Sequence, residues 1–245
     1  NNSKLALQIV LNYEEGGENC VLHGDKHSET FLSEIIGAQP IKGRHINMES
    51  LYEYGSRRGF WRLYKLFAER EIPFTIFGVA TALEKNKDVC EAIRKSDFWK
   101  TPIEVACHGL KWIDYQKIPK AVERKHMKMA IKSIQKTIGE RPLGWYTGRC
   151  SPNTLDLVME EGGFLYCSDT YSDDIPYWEK RGNKNQLMIP YTLDNNDMKF
   201  LTNQGFNNAD QFYTYLKDSF DALYNESEPP KMMSIGLHCR IIGRP

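Results

Sequence analysis

The side chains of this chain that could do chemistry together are two adjacent carboxylates, Glu14-Glu15, two histidines, His108 and His238, and one arginine, Arg149. Asp169, Asp174 and Tyr191 are spaced among them. Paired carboxylates beside a guanidinium offer a general base whose ionised form is held and aimed, because a nearby positive charge favours the charged state. Arg149 is the candidate clamp. His238 can hand a proton to a departing nitrogen, and a carboxylate such as Asp174 can orient the ring and sustain its charged form. Backbone N–H groups at Gly16 and Gly17, directly after the glutamates, suit a developing oxyanion. Such parts fit hydrolysis of a carbon–nitrogen bond.

Taken singly, each residue has a plainer explanation. Glu14-Glu15 reads as a solvated turn, His108 as a structural histidine, Arg149 as a cap on carbonyls, and Asp169, Asp173 and Asp174 as a solubilising loop. Their placement argues otherwise. Apolar runs at 5–11, 73–79, 103–107, 143–147, 164–167, 187–191 and 232–237 read as strands. Between them, 57–70, 80–96, 119–138, 151–161 and 209–224 carry apolar residues at helical spacing. Ser151-Pro152 looks like an N-cap with proline in the first turn, and Gly162-Gly163 a stop. This alternation predicts a parallel α/β sheet of barrel-like form. Glu14 and Glu15 follow the first strand, His108 ends the third, and Arg149, Asp169, Tyr191 and His238 stand at the ends of the next four. In a parallel barrel those ends meet on one face. The polar segment 20–50 is expected to be an irregular excursion at the mouth, and 172–185 a pocket wall or lid.

Composition narrows the remaining choices. A length of 245 residues suits one domain spanning 1–245. Lys plus Arg and Asp plus Glu are both 32, so no net field draws the chain to nucleic acid or to anionic lipid. No apolar run approaches the roughly 18 residues that a membrane span needs. The six cysteines are scattered without a CxxC pair, which predicts reduced thiols and a cytoplasmic setting.

Several strings carry a resemblance. Asn12-Tyr13-Glu14-Glu15, His108 to Trp112, Arg149-Cys150-Ser151-Pro152, the region Asp169 to Asp174, and Gly236-Leu237-His238 resemble, in order, the motifs of the polysaccharide deacetylase family. The resemblance implies a distorted seven-stranded (β/α) barrel with Glu14 as base, Arg149 steadying it and His238 as acid. Deacetylases of that family hold a divalent metal with one Asp and two His, which match Glu15, His108 and Trp112. An indole cannot ligate a metal, and neither Asp114 nor His126 restores the spacing. The expectation is therefore a site without metal; zinc or another divalent ion held by Glu15 and His108 is the alternative.

The strings at 12–18, 52–57, 106–109, 112–115, 172–178 and 236–240 are similar to one branch, the cofactor-independent allantoinases. That likeness implies opening of the hydantoin ring of allantoin to allantoate, a small-molecule ureide substrate and a homo-oligomer. Trp112 and Tyr191 would frame the ring, and Arg57 or Arg240 would meet the ureido oxygen. The rival expectations are a metal-dependent chitin or peptidoglycan N-deacetylase and a catalytically silent binding relative.

Overall fold

The computed structural model describes residues 3–33, 35–96, 103–226 and 229–245. Its centre is a sheet of eight strands: β1 (Leu5–Tyr13), β2 (Phe74–Gly78), β3 (Ile103–Cys107), β4 (Gly144–Trp145), β5 (Tyr166–Cys167), β6 (Tyr177–Arg181), β7 (Lys184–Met188) and β8 (Lys231–His238). They run in the order β6-β7-β5-β4-β3-β2-β1-β8. Each neighbouring pair is parallel except β6 and β7. Each of the seven expected runs contributes strand residues, although β4 is paired only over Gly144–Trp145 and β7 starts earlier than expected and ends at Met188, short of Tyr191. The expected distorted seven-stranded barrel is found in part: the sheet is curled, but it has eight strands and stays an open half-barrel edged by β6 and β8.

The additional strand, β6, falls where an irregular wall was expected. Its sequence Tyr-Trp-Glu-Lys-Arg is mostly exposed and charged, which suits an edge strand because charge discourages further pairing. In the centre, β2 is buried along its whole length, as expected of a parallel strand covered on both faces.

Among the described residues seven α-helices accompany the strands: α1 (Ile46–Tyr54), α2 (Phe60–Glu69), α3 (Ala80–Lys85), α4 (Lys87–Arg94), α5 (Lys120–Ile138), α6 (Thr154–Glu161) and α7 (Ala209–Asn225). The expected helix 57–70 is longer than its pattern, because a π-helical turn, Gly55–Gly59, joins α1 to α2. A side chain at Gly55 would overlap the Glu15 carboxylate, and one at Gly59 the Cys239 carbonyl, so both positions need glycine for backbone to close on the strand ends. α6 stops at Gly162, in the left-handed region at φ 76. It begins later than expected, with Asn153 at the N-cap. Ser151 instead accepts the Asn153 N–H and donates its hydroxyl to the buried Glu123.

Register decides which side chains face inward. Asn12 pairs with Phe77 and with His238, and Phe77 with Ala106, so these four share one face of the sheet. That inner face carries the aromatic cluster of Phe77, Tyr146, Tyr166 and Tyr191. The opposite face, with Leu11, Ile76 and Val105, packs with Phe60, Leu63 and Ile134 of the helices. Among the described residues no helix is long and apolar enough to cross a membrane.

Candidate active site

Glu14, two residues beyond Asn12, comes back to the inner face just past the end of β1. It is 1% exposed, yet it borders a cavity. Its Oε1 lies 3.3 Å from His108 Nε2 and 3.5 Å from His238 Nε2, and its Oε2 lies 2.7 Å from Arg240 Nη1. Burial opposes ionisation, but the Arg240 and His238 charges and hydrogen bonding by both histidines hold its carboxyl well below the usual carboxylate range. His108 Nδ1 is 3.0 Å from the Tyr146 carbonyl. A carbonyl only accepts, so Nδ1 carries a proton and Nε2 is the nitrogen turned to Glu14.

His238 is held from behind by Asp197, whose Oδ1 lies 2.6 Å from His238 Nδ1. The other oxygen, Oδ2, accepts the backbone N–H groups of His238 and Ile242. Asp197 is fully buried at the start of a short 3-10 turn, Asp197–Leu201. Burial disfavours the imidazolium, but the charges of Asp197 and Glu14, and hydrogen bonds to both, push His238 up to about 9. A carboxylate kept ionised and an imidazole kept protonated therefore face each other at the rim of one cavity, the separation expected of a base and an acid.

Several expected roles need correction. Arg149 does not clamp Glu14; its guanidinium lies 3.9 Å above the Trp112 ring and 4.9 Å from that of Phe31, and pairs with Glu29 at 3.3 Å. The clamp is Arg240, which is fully buried and therefore sits behind the carboxylates instead of meeting a substrate oxygen. Asp174 does not orient His238. It is exposed, and its carbonyl accepts from Met232 near the opposite end of β8, about 20 Å along the strand at ~3.3 Å per residue. Arg57 points into solvent, paired with Glu53 one helical turn away. Gly16 offers no free oxyanion donor, because its N–H is given to Glu18, and that of Gly17 to the Glu14 carbonyl.

Glu15 turns to the other side of the chain, against Gly55 of the π turn, with Oε2 accepting the Glu14 N–H. Burial, only partly offset by Arg240, pushes its carboxyl up to about 7. Asp169 accepts the N–H groups of Thr147 and Gly148, so it shapes the loop that carries Arg149 and does not itself border the cavity. The cavity is about 150 Å³, bordered by Glu14, His108 and His238 on one side and by Trp112, Tyr146 and Tyr191 on others. Phe31, Leu32 and Arg149 separate it from a wider outer hollow of about 610 Å³.

A Schizosaccharomyces pombe protein, named as a polysaccharide deacetylase, is 44% identical over 266 residues, which cover 100% of this chain and 81% of that protein. The chain belongs to the polysaccharide deacetylase family. Residues 47–161 match the model of that family. A Pseudomonas aeruginosa PAO1 structure described as a polysaccharide deacetylase superposes with a TM-score of 0.93 at 59% identity, covering 99% of this chain and 81% of that one. The crystal structure of PuuE allantoinase gives the same TM-score, 0.93, and identity, 59%, over 99% of this chain and 80% of its own.

The metal set of the deacetylases does not fit the side chains found at its positions. Trp112 offers no ligating atom, and the face of its ring is covered by the Arg149 cation. Glu15 faces away from His108, toward Gly55. Among the described residues no three His, Cys, Asp or Glu side chains are grouped as metal ligands. Sequence reasoning missed Asp197, which lies in the polar run Asp194-Asn195-Asn196-Asp197 with nothing to single it out. It also missed Asn12, although register with His238 would have marked it.

Proposed function

We propose that this member of the polysaccharide deacetylase family is a hydrolase that opens the ring amide of a small cyclic ureide, the hydantoin ring of allantoin, and works without a divalent metal. The observation carrying the reading is the Glu14–His238–Asp197 relay, with Arg240 behind it, at the edge of a cavity of only about 150 Å³. A space of that size suits a single small ring better than a glycan chain. The 59% identity to PuuE allantoinase supports the substrate. An indole under a guanidinium, in place of a ligand, supports catalysis without metal.

In this mechanism Glu14 takes a proton from water as the water oxygen bonds to the ring carbonyl carbon. The ring C–N bond then breaks as His238 Nε2 delivers its proton to the leaving nitrogen, leaving a carboxylic acid and a terminal ureido group. Glu14 Oε1 is 3.5 Å from His238 Nε2, so the proton taken from water can pass to the imidazole and reset both groups, while the product acid ionises to solvent. General base and general acid each contribute roughly 10² to 10⁴ in rate. The test is a hydantoin-opening assay on protein dialysed against chelator, with metal content measured, beside acetate release from chito-oligomers. Full ring opening without metal supports the proposal. Acetate release restored by a divalent ion would replace it with an N-deacetylase.

A further inference from the structure

Catalysis at a carbonyl needs a donor for the oxygen that becomes negative, and most of the nominated donors are engaged elsewhere. Gly16 and Gly17 have spent their N–H groups and His108 Nδ1–H is given to Tyr146, while Arg149 is stacked on Trp112 and held through Nη1 by Glu29 on the opposite side of the cavity from Glu14 and His238. Tyr191 is different. The Asn12 side-chain nitrogen lies 3.0 Å from the Leu237 carbonyl and 2.8 Å from the Tyr191 hydroxyl oxygen. Because a carbonyl only accepts, the Leu237 contact fixes which end of the Asn12 amide is nitrogen. That nitrogen therefore donates to Tyr191 as well, so the phenol oxygen is an acceptor in this bond and its own proton is left for another partner. No acceptor for that proton is found among the described residues, and the ring borders the cavity beside Glu14 and His238.

We infer that the Tyr191 hydroxyl donates to the substrate carbonyl oxygen as it becomes an oxyanion, and that Asn12 is the positioning residue that aims it. This rests on the ring-opening reading above. The ring of Tyr191 is held before substrate arrives, with centroids 5.2 Å from Phe77 and 4.7 Å from Tyr146, and its backbone N–H bonded to the Thr170 carbonyl. Burial, with Asp197 and Glu14 nearby, raises the phenol further above its ordinary range, so it stays a donor at every working pH. Tyr146 and Tyr171 bond to each other through their hydroxyls, which makes Tyr171 the competing source of a proton.

The experiment is steady-state ring opening by Tyr191→Phe, Asn12→Asp and the double variant, with melting temperatures recorded. Aspartate has no N–H to give, so it takes the phenol proton and turns it from the cavity. Tyr191→Phe should lower kcat about 100-fold and leave KM within about threefold, as when one oxyanion donor is removed. Asn12→Asp should lose a similar factor, and the double variant little more than either, because both act through one hydroxyl. Losses that multiply, a kcat kept within about threefold in Tyr191→Phe, or a large loss in Tyr171→Phe instead, would overturn the inference alone. A wild-type protein that leaves the ring intact removes the ring-opening reading and this inference together.

Discussion

Replacing Asp197 by asparagine keeps a side chain of the same shape behind His238 but removes its charge. In the native site His238 stands at about 9 against an ordinary 6.5, a difference of about 2.5 units, or ~3 kcal/mol in favour of the imidazolium. Burial alone would act in the opposite direction, so Asp197 and Glu14 supply more than that net amount. Without the Asp197 charge the ring should fall back to near the ordinary 6.5, burial then opposing the charge that Glu14 still favours. At pH 8 the protonated fraction then falls from about 90% to about 3%, a loss of ~30-fold, whereas at pH 6 the loss is under about twofold. The assay is kcat/KM for ring opening across pH 5 to 10, which reports the free enzyme. Wild type should hold a plateau up to about 9 and then decline; Asp197→Asn should decline about 2.5 units earlier and recover in acid. An alkaline limb that stays near 9, or an equal loss at pH 6 and pH 8, would refute the assignment of His238 as the acid.

The two glutamates should separate cleanly. Glu14→Gln should lose roughly 10² to 10⁴ in kcat, while Glu15→Gln should keep most turnover, since Glu15 faces Gly55 and not the cavity. Glu15 carries a carboxyl raised to about 7; its stabilising effect is complete below about 4.5 and lost as pH rises through 7, so at pH 8 the ionised form costs up to ~3 kcal/mol. Denaturant midpoints should therefore be higher for Glu15→Gln than for wild type at pH 8 and equal at pH 4. Arg240→Met should bring the acid limb of kcat/KM up toward the ordinary carboxylate range, because Arg240 is the leading cause that holds Glu14 down. Arg149→Met should instead raise KM, with both limbs in place, because its contacts are Trp112, Phe31 and Glu29; a moved acid limb in that variant would return the clamp to Arg149.

Much of this architecture was legible in the chain. All seven apolar runs contribute residues to the sheet, and Glu14, His108 and His238 came together because they sit at or just beyond the ends of neighbouring strands. The failures have identifiable causes. Arginine is rarely fully buried, so Arg240, fully buried in the turn after β8, was assigned to substrate and its true role given to Arg149. Strand β6 was missed because its Glu179-Lys180-Arg181 run is that of an edge, which packs on little and shows no apolar signal. Asp174 was preferred to Asp197 because position along a strand does not reveal which end a loop reaches. Alternation past a strand end separates Glu14 from Glu15, a distinction that identical side chains cannot display.

The pairing of the first strand with the last has a consequence for how activity is acquired. Residues 5–12 run beside 231–238 along their full length, and the contact of Asn12 with Leu237 spans 225 positions. Closing a loop of that size costs about 5 kcal/mol in chain entropy before any ladder bond repays it, and contacts so distant in sequence form slowly. The acid, its guanidinium neighbour and the backbone that orients Asn12 all arrive with that final strand. A ribosome-bound chain can therefore assemble β1 to β5 early and yet hold no working catalyst until synthesis has passed Arg240, which makes competence an all-or-none property of the finished sheet.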